Sequence, residues 1–545
     1  MKHMLRSLTC ILLGSLMSTR AGAATAPATQ TIRARIDVAA PQWKQASDGL
    51  VDLSLEGHTM AGKPARPRLP QKTTFYALPP DADIATVEVT IENAQFSEAA
   101  VPGALRPESP LATSSADPVT SYGDAVNVVA GRDLAVYGAN AFYPADIVVV
   151  DGYPHMRKWR MVQLTLSPVT YNPVAGRIRW LTSADLVISF EKQASGAQTS
   201  ADASLANDRV LDADALDLIE NKADGESWYG AGMQAQAETQ PAGNVYVILT
   251  SDTIYNESPT LFGLVPHKQS CDYTVHVVTE TKVNGNASAT GWNEAAGQSP
   301  NGKAERIRQW LKNNYAGLGI HYVLLVGNPD PATGDVPMKR CYSYVGDTYD
   351  YPTDSFYCDL TGNWDLNGDG IFGTEGPDDG AGGVDFVPEV IVGRIPVYTA
   401  TDWKPVFSNI VRKIIRYETE GDISWRKIAL LPESWSDPYT DGAYVAEHMK
   451  SNYLQPKGYA AYTLYQQGNA PGHPEFNSSF WSCEDLRGDR VVNHWKNNSY
   501  GLVFWWAHGW SHGAAVHYDG SLFTSEQCWQ LNNAKPAVVF MCSCT

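Results

Sequence analysis

Beyond its first two dozen residues the chain has no apolar run long enough to cross a membrane, which takes about 20 residues. It is also short of positive charge: 41 Lys and Arg stand against 59 Asp and Glu, for a formal net charge of −18. Nucleic acid and anionic membrane surfaces both demand basic patches, so this balance disfavours them as partners. Charged residues of either sign make up only 18% and hydrophobic residues 43%, which describes a mostly globular chain. At 545 residues it has room for about three domains. Lys2, His3 and Arg6, the short apolar core Cys10 to Met17 and the small-residue site Ala21-Gly22-Ala23 form a secretory signal peptide, 1–23, cleaved after Ala23. Its apolar core is too short to span a bilayer, so the mature protein is expected to be exported and soluble. There are eight cysteines; Cys10 leaves with the signal, and the rest (Cys271, Cys341, Cys358, Cys483, Cys528, Cys542 and Cys544) are odd in number. An odd count in an exported chain points to a reactive thiol, with up to three disulfides among the others.

Residues 24–195 alternate apolar and polar residues, as in Ala85 to Ile91, Ala145 to Val150 and Ala184 to Phe190, which suits half-buried antiparallel strands. Residues 196–243 are rich in Ala, Ser, Asp and Gln and read as linker, most plainly at Gln193 to Asp202 and Gln234 to Gly243. From 244 to 422 the pattern changes. Buried strands are expected at Val245 to Thr250, Tyr273 to Thr279, Tyr322 to Gly327 and Asp385 to Val397. Helices are expected at Gly302 to Ala316, where Ile307, Trp310 and Leu311 share a face, and at Asp402 to Tyr417. This strand–helix–strand order implies a parallel sheet. Arg394 reads as a half-buried structural arginine paired with an acid. Within the same region Asp365-Leu366-Asn367-Gly368-Asp369-Gly370-Ile371 puts oxygen ligands at alternating positions and Gly at the sixth. This matches the first half of a calcium loop, with Asp365, Asn367, Asp369 and the Ile371 carbonyl as ligands. The twelfth position is Gly376 rather than Glu, with Glu375, Asp378 and Asp379 close by; a solvated acidic turn is the plain alternative.

A second α/β unit, 423–545, holds the chemistry. Gly501 to Ala507 and Pro536 to Met541 are short apolar runs that read as buried strands. The first leads into His508-Gly509, the second into Cys542-Ser543-Cys544-Thr545. Parallel sheets carry functional groups at the carboxyl ends of their strands. If the two strands are neighbours, an imidazole and a thiol emerge at one edge: the minimum unit of cysteine-nucleophile catalysis. Phe523 to Leu531 is expected to be the crossover helix, with Thr524 or Ser525 as its N-cap. Alternate residues of a strand face the same way, so either Cys542 or Cys544 is placed to react. Lys427 to Pro432 is a further strand, and Glu433, Asp437 and Asp441 follow it on the same edge, where Glu433 or Asp437 could orient the histidine. Taken singly, such a His or Cys is more often structural.

His-Gly after one strand and Ser-Cys-Thr after a later one resemble the gingipain-type cysteine peptidases, relatives of the caspases and legumains. Leu324-Leu325-Val326-Gly327, Pro388-Glu389-Val390 and Gly393-Arg394-Ile395-Pro396 add to the resemblance. So does the proline-marked stretch Pro67 to Gln71 with Ala77 to Ala82, which is similar to the family's pro-region. The resemblance implies a β-rich pro-domain followed by an α/β caspase-like catalytic region with mainly parallel sheets. It implies a zymogen whose pro-region is its own partner, and protein or peptide substrates. Cys544 becomes the nucleophile, His508 the base and acid, and the N–H groups of Gly509 and Cys544 the oxyanion hole. Activation after a basic residue would use Lys192, Arg209 or Lys222. The family continues past the nucleophile, so this chain is expected to be truncated there. Two other readings stay open: a secreted, calcium-stabilised adhesion protein with an inactive caspase-like domain, and a metallohydrolase using His508, His512, His517 and Asp519. The glycine-rich spacing of the latter set argues against a helical zinc pair.

Overall fold

The computed structural model describes residues 29–46, 48–108, 111–112, 120–122, 125, 127–193, 208–230, 244–286, 289–294, 302–342, 351–380, 382–437, 440–467, 478–531 and 534–543. Residues 1–23, read as a signal peptide, residues 194–207 and 231–243, and Cys544 lie outside this set. Among the described residues no helix is long and apolar enough to cross a membrane.

The amino-terminal part is built on two larger antiparallel sheets, with small two-stranded ribbons beside them. One is built on β1 (Gln30–Asp37), β3 (Glu88–Ala100), β6 (Val169–Asn172) and the long β7 (Arg177–Phe190). The other contains β2 (Leu69–Leu78), β4 (Val148–Gly152) and β5 (Trp159–Leu166). The period-2 pattern is expressed as packing: Ile32, Leu186, Ile188 and Phe190 from one sheet meet Tyr76, Leu78, Val162 and Leu164 from the other in a shared buried core. β3 and β7 run longer than their apolar runs, β4 begins only at Val148, and Ile84–Thr86 is a 3-10 turn rather than strand.

Residues 208–230, which fall within the stretch read as linker, are folded. Helices α1 (Asp212–Leu218) and α2 (Lys222–Tyr229) lie on β2 and β5. Val210, Leu211, Ala215, Ile219 and Tyr229 are buried against Ala77, Trp159 and Met161. Polar links fasten the same seam: the Trp159 indole donates to Asp212 at 2.8 Å and the Tyr229 hydroxyl to the Leu78 carbonyl at 2.6 Å.

The first α/β unit has a four-stranded, all-parallel sheet. Its strands are β8 (Val245–Thr250), β9 (Thr274–Val278), β10 (Ile320–Gly327) and β11 (Ile391–Pro396), in spatial order β9-β8-β10-β11. Helices α3 (Pro259–Ser270), α4 (Lys303–Leu318) and α5 (Trp403–Thr419) cover both faces. Ile307, Trp310 and Leu311 of α4 are buried as their spacing requires, and Gly319 ends that helix at φ +68°, a left-handed conformation that favours glycine. Asp385 to Val390 does not join β11. It approaches the sheet as irregular chain carrying two acids, the half-buried Asp385 and the fully buried Glu389. Arg394 is the expected structural arginine, its guanidinium forked onto Asp354 through two 2.7 Å bonds.

The amino-terminal β-rich region docks on the amino-terminal edge of this sheet. Arg157 sits at φ +54° in the two-residue turn before β5. Its wholly buried side chain donates to the carbonyls of Ile320 (3.0 Å), Glu389 (3.1 Å) and Tyr315 (3.3 Å). It also pairs with Asp208 and lies 5.0 Å over the Tyr315 ring. The neighbouring His155 N–H donates to Asp385 at 3.2 Å.

The second unit has five parallel strands: β12 (Ile428–Glu433), β13 (Ala460–Tyr465), β14 (Glu484–Asp485), β15 (Leu502–Trp506) and β19 (Val538–Cys542), ordered β14-β13-β12-β15-β19. Helices α6 (Ala443–Met449) and α7 (Gly488–Asn497) pack on it. Alternate residues of β12 bury into opposite cores, Leu430 on one face and Ala429 with Leu431 on the other. The expected crossover helix is not there. Residues 508–524 instead form a small antiparallel sheet, β16 (His508–Trp510), β17 (Gly513–Ala515) and β18 (Ser521–Thr524), followed by a 3-10 turn at Gln527–Gln530. Phe523 and Leu522 belong to that sheet and fill the core under β15, which removes the apolar stripe a helix needs. Thr524 does act as a local cap: its Oγ1 accepts from Gln527 N at 3.3 Å.

Candidate active site

The carboxyl ends of β12, β15 and β19 stand side by side: Glu433 pairs with Trp506, and Trp506 with Cys542. The strands are neighbours, so the condition set by the sequence is met. Pairing continues one step beyond, with Ala507 N donating to the Cys542 carbonyl at 3.0 Å and Ser434 N to the Trp506 carbonyl at 2.9 Å. From there the chain turns at His508 into the β16–β17 hairpin, in which His508 faces Ala515 and Gly509 faces Ala514.

His508 is held by the loop after β12. Its Nε2 lies 2.6 Å from the Ser436 carbonyl oxygen. A carbonyl only accepts, so Nε2 carries the proton and Nδ1 is the basic nitrogen. Ser436 is itself pinned by the Trp506 indole N–H on its hydroxyl. One face of the imidazole stacks on His517, with ring centroids 5.2 Å apart. His517 is fixed by its own backbone: its N–H donates to Ser434 Oγ at 2.9 Å and its carbonyl accepts from Gln466 at 2.7 Å. Ser434 and Gln466 are buried and bonded to each other at 3.0 Å.

Glu433 does not reach the imidazole. It is the last residue of β12 rather than part of the loop, fully buried, and its Oε2 accepts from Trp506 N at 2.8 Å. Burial, with the nearby Asp441 adding to it, pushes its pKa well above the usual carboxylate value despite the Trp506 N–H. Its carboxyl ties β12 to β15, and the ring nitrogen a third member would engage is occupied by the Ser436 carbonyl. Asp441 is also buried and raised by desolvation, its Oδ1 accepting from Ala443 N at 2.9 Å at the start of α6. The side chain of Asp437 lies outside the described residues.

Cys542 is half-buried and packs against the core lined by Ala429, Leu431 and Phe504. Ser543, next along, accepts from the Trp505 indole at 3.4 Å. The alternative metal set does not assemble: among the described residues, no three of His508, His512, His517 and Asp519 bring ligand atoms together. The Ser436 carbonyl, the Ser434–Gln466 pair and the His517 stacking were not visible in the sequence. A backbone acceptor carries no side-chain signature, and His517 meets His508 only through the hairpin.

In the 365–371 loop, Asp365 accepts from Gly370 N at 3.1 Å, Asn367 Oδ1 from Asp369 N at 3.1 Å and Asp369 from Ile371 N at 2.7 Å. Gly370, at the sixth position, has φ +79°. Asp378, fully buried, closes the loop by accepting from Leu366 N and from Thr374 N and Oγ1.

Comparison with known proteins follows the same division of the chain. The profile for peptidase family C25 matches residues 239–545, and that for the C25 propeptide matches residues 42–212. Among curated proteins nothing matches. A complex of the Porphyromonas gingivalis RgpB pro- and mature domains is 16% identical, covering 37% of this chain and 95% of that one, with a TM-score of 0.26. Gingipain K from Porphyromonas gingivalis, solved for its zymogenic latency, is 20% identical over 30% of this chain and 93% of that one, at 0.24. The Arg-specific cysteine proteinase gingipain R (RGPB) is 18% identical, with 56% of each chain covered, at 0.37. These low TM-scores leave the family assignment resting on the two profiles.

Proposed function

The chain belongs to peptidase family C25 and is a cysteine-type peptidase made with a propeptide; from that premise we propose that it is an exported endopeptidase working through a His508–Cys544 dyad. The observation that carries this reading is the shared carboxyl edge of β15 and β19, with the Nε2 of His508 committed to the Ser436 carbonyl. Nδ1 of His508 takes the thiol proton of Cys544. The thiolate attacks the scissile carbonyl carbon, and the N–H groups of Gly509 and Cys544 receive the oxyanion. Protonated His508 returns the proton to the departing amine, leaving a thioester, which water, deprotonated by His508, hydrolyses to acid and free thiol. Packing of Cys542 in the core supports Cys544 over Cys542 as the nucleophile. Export rests on the signal-peptide pattern of residues 1–23.

Calcium in the 365–371 loop is part of this proposal, as a structural ion. Asp365, Asn367 and Asp369 each spend a lone pair on a loop N–H, and each oxygen retains another for a cation. Its role is to order an outer loop, not catalysis.

The test is alkylation of the purified protein with an iodoacetamide probe across pH, with peptide mapping. Rapid labelling of Cys544 near neutral pH, slowed by His508→Ala, is expected. Slow labelling spread over several cysteines and indifferent to that change overturns the dyad and favours an inactive, binding role.

A further inference from the structure

Helices α3 and α5 run side by side in the same direction on one face of the first sheet. Near their starts Thr260 and Ser408 share a hydrogen bond of 2.6 Å. Leu261 and Leu264 then pack with Phe407 and Val411. At their ends His267 and Lys268 reach Glu418. Both carboxyl termini, each the negative end of a helix dipole, therefore converge on one spot. A glutamate at that spot sits against both dipoles, and the Lys268 ammonium offsets part of their field.

Three ligand types meet there. His267 and Cys271 are four residues apart and share a face of α3 and its cap. A His267 ring nitrogen, the Cys271 Sγ and a Glu418 carboxylate oxygen all lie within 4.8 Å of one another. His267 Nε2 is 2.8 Å from Glu418 Oε2. Glu418 Oε1 is held by Lys268 Nζ at 2.6 Å, and that ammonium is seated over the rings of Tyr246 and Tyr273, at 5.2 and 5.7 Å. Lys268 thus orients the carboxylate from outside and leaves Oε2 toward the imidazole, as an outer partner does at a metal site.

We propose that His267, Cys271 and Glu418 form a binding site for a zinc-class divalent ion, distinct from the catalytic edge and from the 365–371 loop. An imidazole, a thiolate and one carboxylate oxygen suit zinc and disfavour calcium or magnesium. Zinc–ligand bonds of roughly 2.0–2.3 Å set tetrahedral ligand separations of about 3.3–3.8 Å, within reach of small side-chain rotations here. On binding, the Cys271 S–H bond breaks, its proton passes to solvent and a metal–sulfur bond forms. The proton on His267 Nε2 moves by way of solvent to Nδ1, the Nε2 bond to Glu418 is exchanged for one to the metal, and water takes the fourth position. The ion staples the ends of α3 and α5 and answers both helix dipoles.

The experiment is titration of the metal-stripped full chain with Co(II) and then zinc, in calcium-containing buffer. One site is expected to give a thiolate-to-cobalt charge-transfer band that zinc abolishes, and zinc is expected to protect Cys271 from alkylation. Cys271→Ser removes the band and weakens zinc binding by roughly tenfold or more, whereas Cys528→Ser, at an exposed cysteine elsewhere, changes neither. A wild-type protein without the band, a band that survives Cys271→Ser, or alkylation of Cys271 indifferent to zinc overturns the site. The protection measurement needs no variant, so a substitution that fails to fold does not blunt it.

Discussion

The two α/β units share one construction, parallel strands with helices packed against them, and differ in what their carboxyl edges do with polar groups. In the first unit the edge is consumed internally. Thr250 bonds the Val326 carbonyl at 2.8 Å, Asp335 accepts from Asn328 N at 2.6 Å, and Arg394 is locked to Asp354. In the second, β15 delivers an imidazole held by a single ring nitrogen, and Glu433 keeps one buried oxygen without a hydrogen-bond partner among the described residues. The outermost strand, β19, leaves Phe540 and Met541 60% and 62% exposed. A parallel sheet thus supplies a place for chemistry, and the residues one or two positions past each strand decide whether that place is closed or reactive.

The comparison can be broken most sharply at His508. His508→Ala is expected to lower kcat/KM about 10²–10⁴-fold in a peptide-cleavage assay, as loss of a general base does. No single substitution at the first unit's carboxyl edge, such as Arg394→Lys, should come near that; an equal effect there would dissolve the distinction. Next in size is the pro-region seat. Arg157→Ala leaves Asp208 unpaired and three carbonyls without their donor, and should destabilise the zymogen by about 3–5 kcal/mol, read from urea unfolding of the intact chain. An unchanged midpoint would show that the amino-terminal edge is not what holds the pro-region.

Buried acids set the third test. Burial and Asp359 push Asp385 up from 3.8 to about 7. The folded state therefore keeps a proton that the unfolded chain loses. The stability this contributes is fully present below about pH 4 and is lost as pH rises through 7, by up to roughly 4 kcal/mol. Asp385→Asn should flatten the pH–stability curve across that window, and a parallel curve would sink the assignment. Glu433→Gln sharpens the contrast from the other side. A neutral amide can still accept from Trp506 N, so activity should stay within about threefold of wild type; a loss of 10²-fold or more would restore Glu433 as a third catalytic member. The smallest effect is expected from calcium. Chelation should lower the melting temperature by a few degrees, about 1 kcal/mol, reversibly on calcium addition and with catalysis at low temperature intact.

Much of this was legible beforehand because periodicity reports burial directly. The face of α4, the alternation in β7, the runs of β8, β10 and β15 and the forked Arg394 follow from side-chain type and spacing. What escaped depended on partners distant in sequence. Phe523 opens a run that suits a helix, yet the space beneath Trp505 takes it, with Leu522, as a strand residue. Val210 and Ile219 sit in an Ala- and Asp-rich stretch that looks like linker until Trp159 and Met161 are placed against it. Asp385 to Val390 has the composition of a strand, but Asp385 and Glu389 hold it to irregular backbone through bonds to Val387 N, Leu360 N and Thr361.

By itself, then, the sequence determined the succession of a β-rich region and two α/β units, the family, and the two short runs from which a histidine and a cysteine emerge. These are consequences of local pattern, which a chain carries wherever it folds. Only the tertiary structure decided that β15 and β19 are neighbours, that a backbone carbonyl and not Glu433 holds His508, and that the pro-region seats an arginine at the far edge of the first sheet. Each of those depends on which distant groups meet, and a buried polar group is satisfied by whatever acceptor the fold brings to it, backbone or side chain alike.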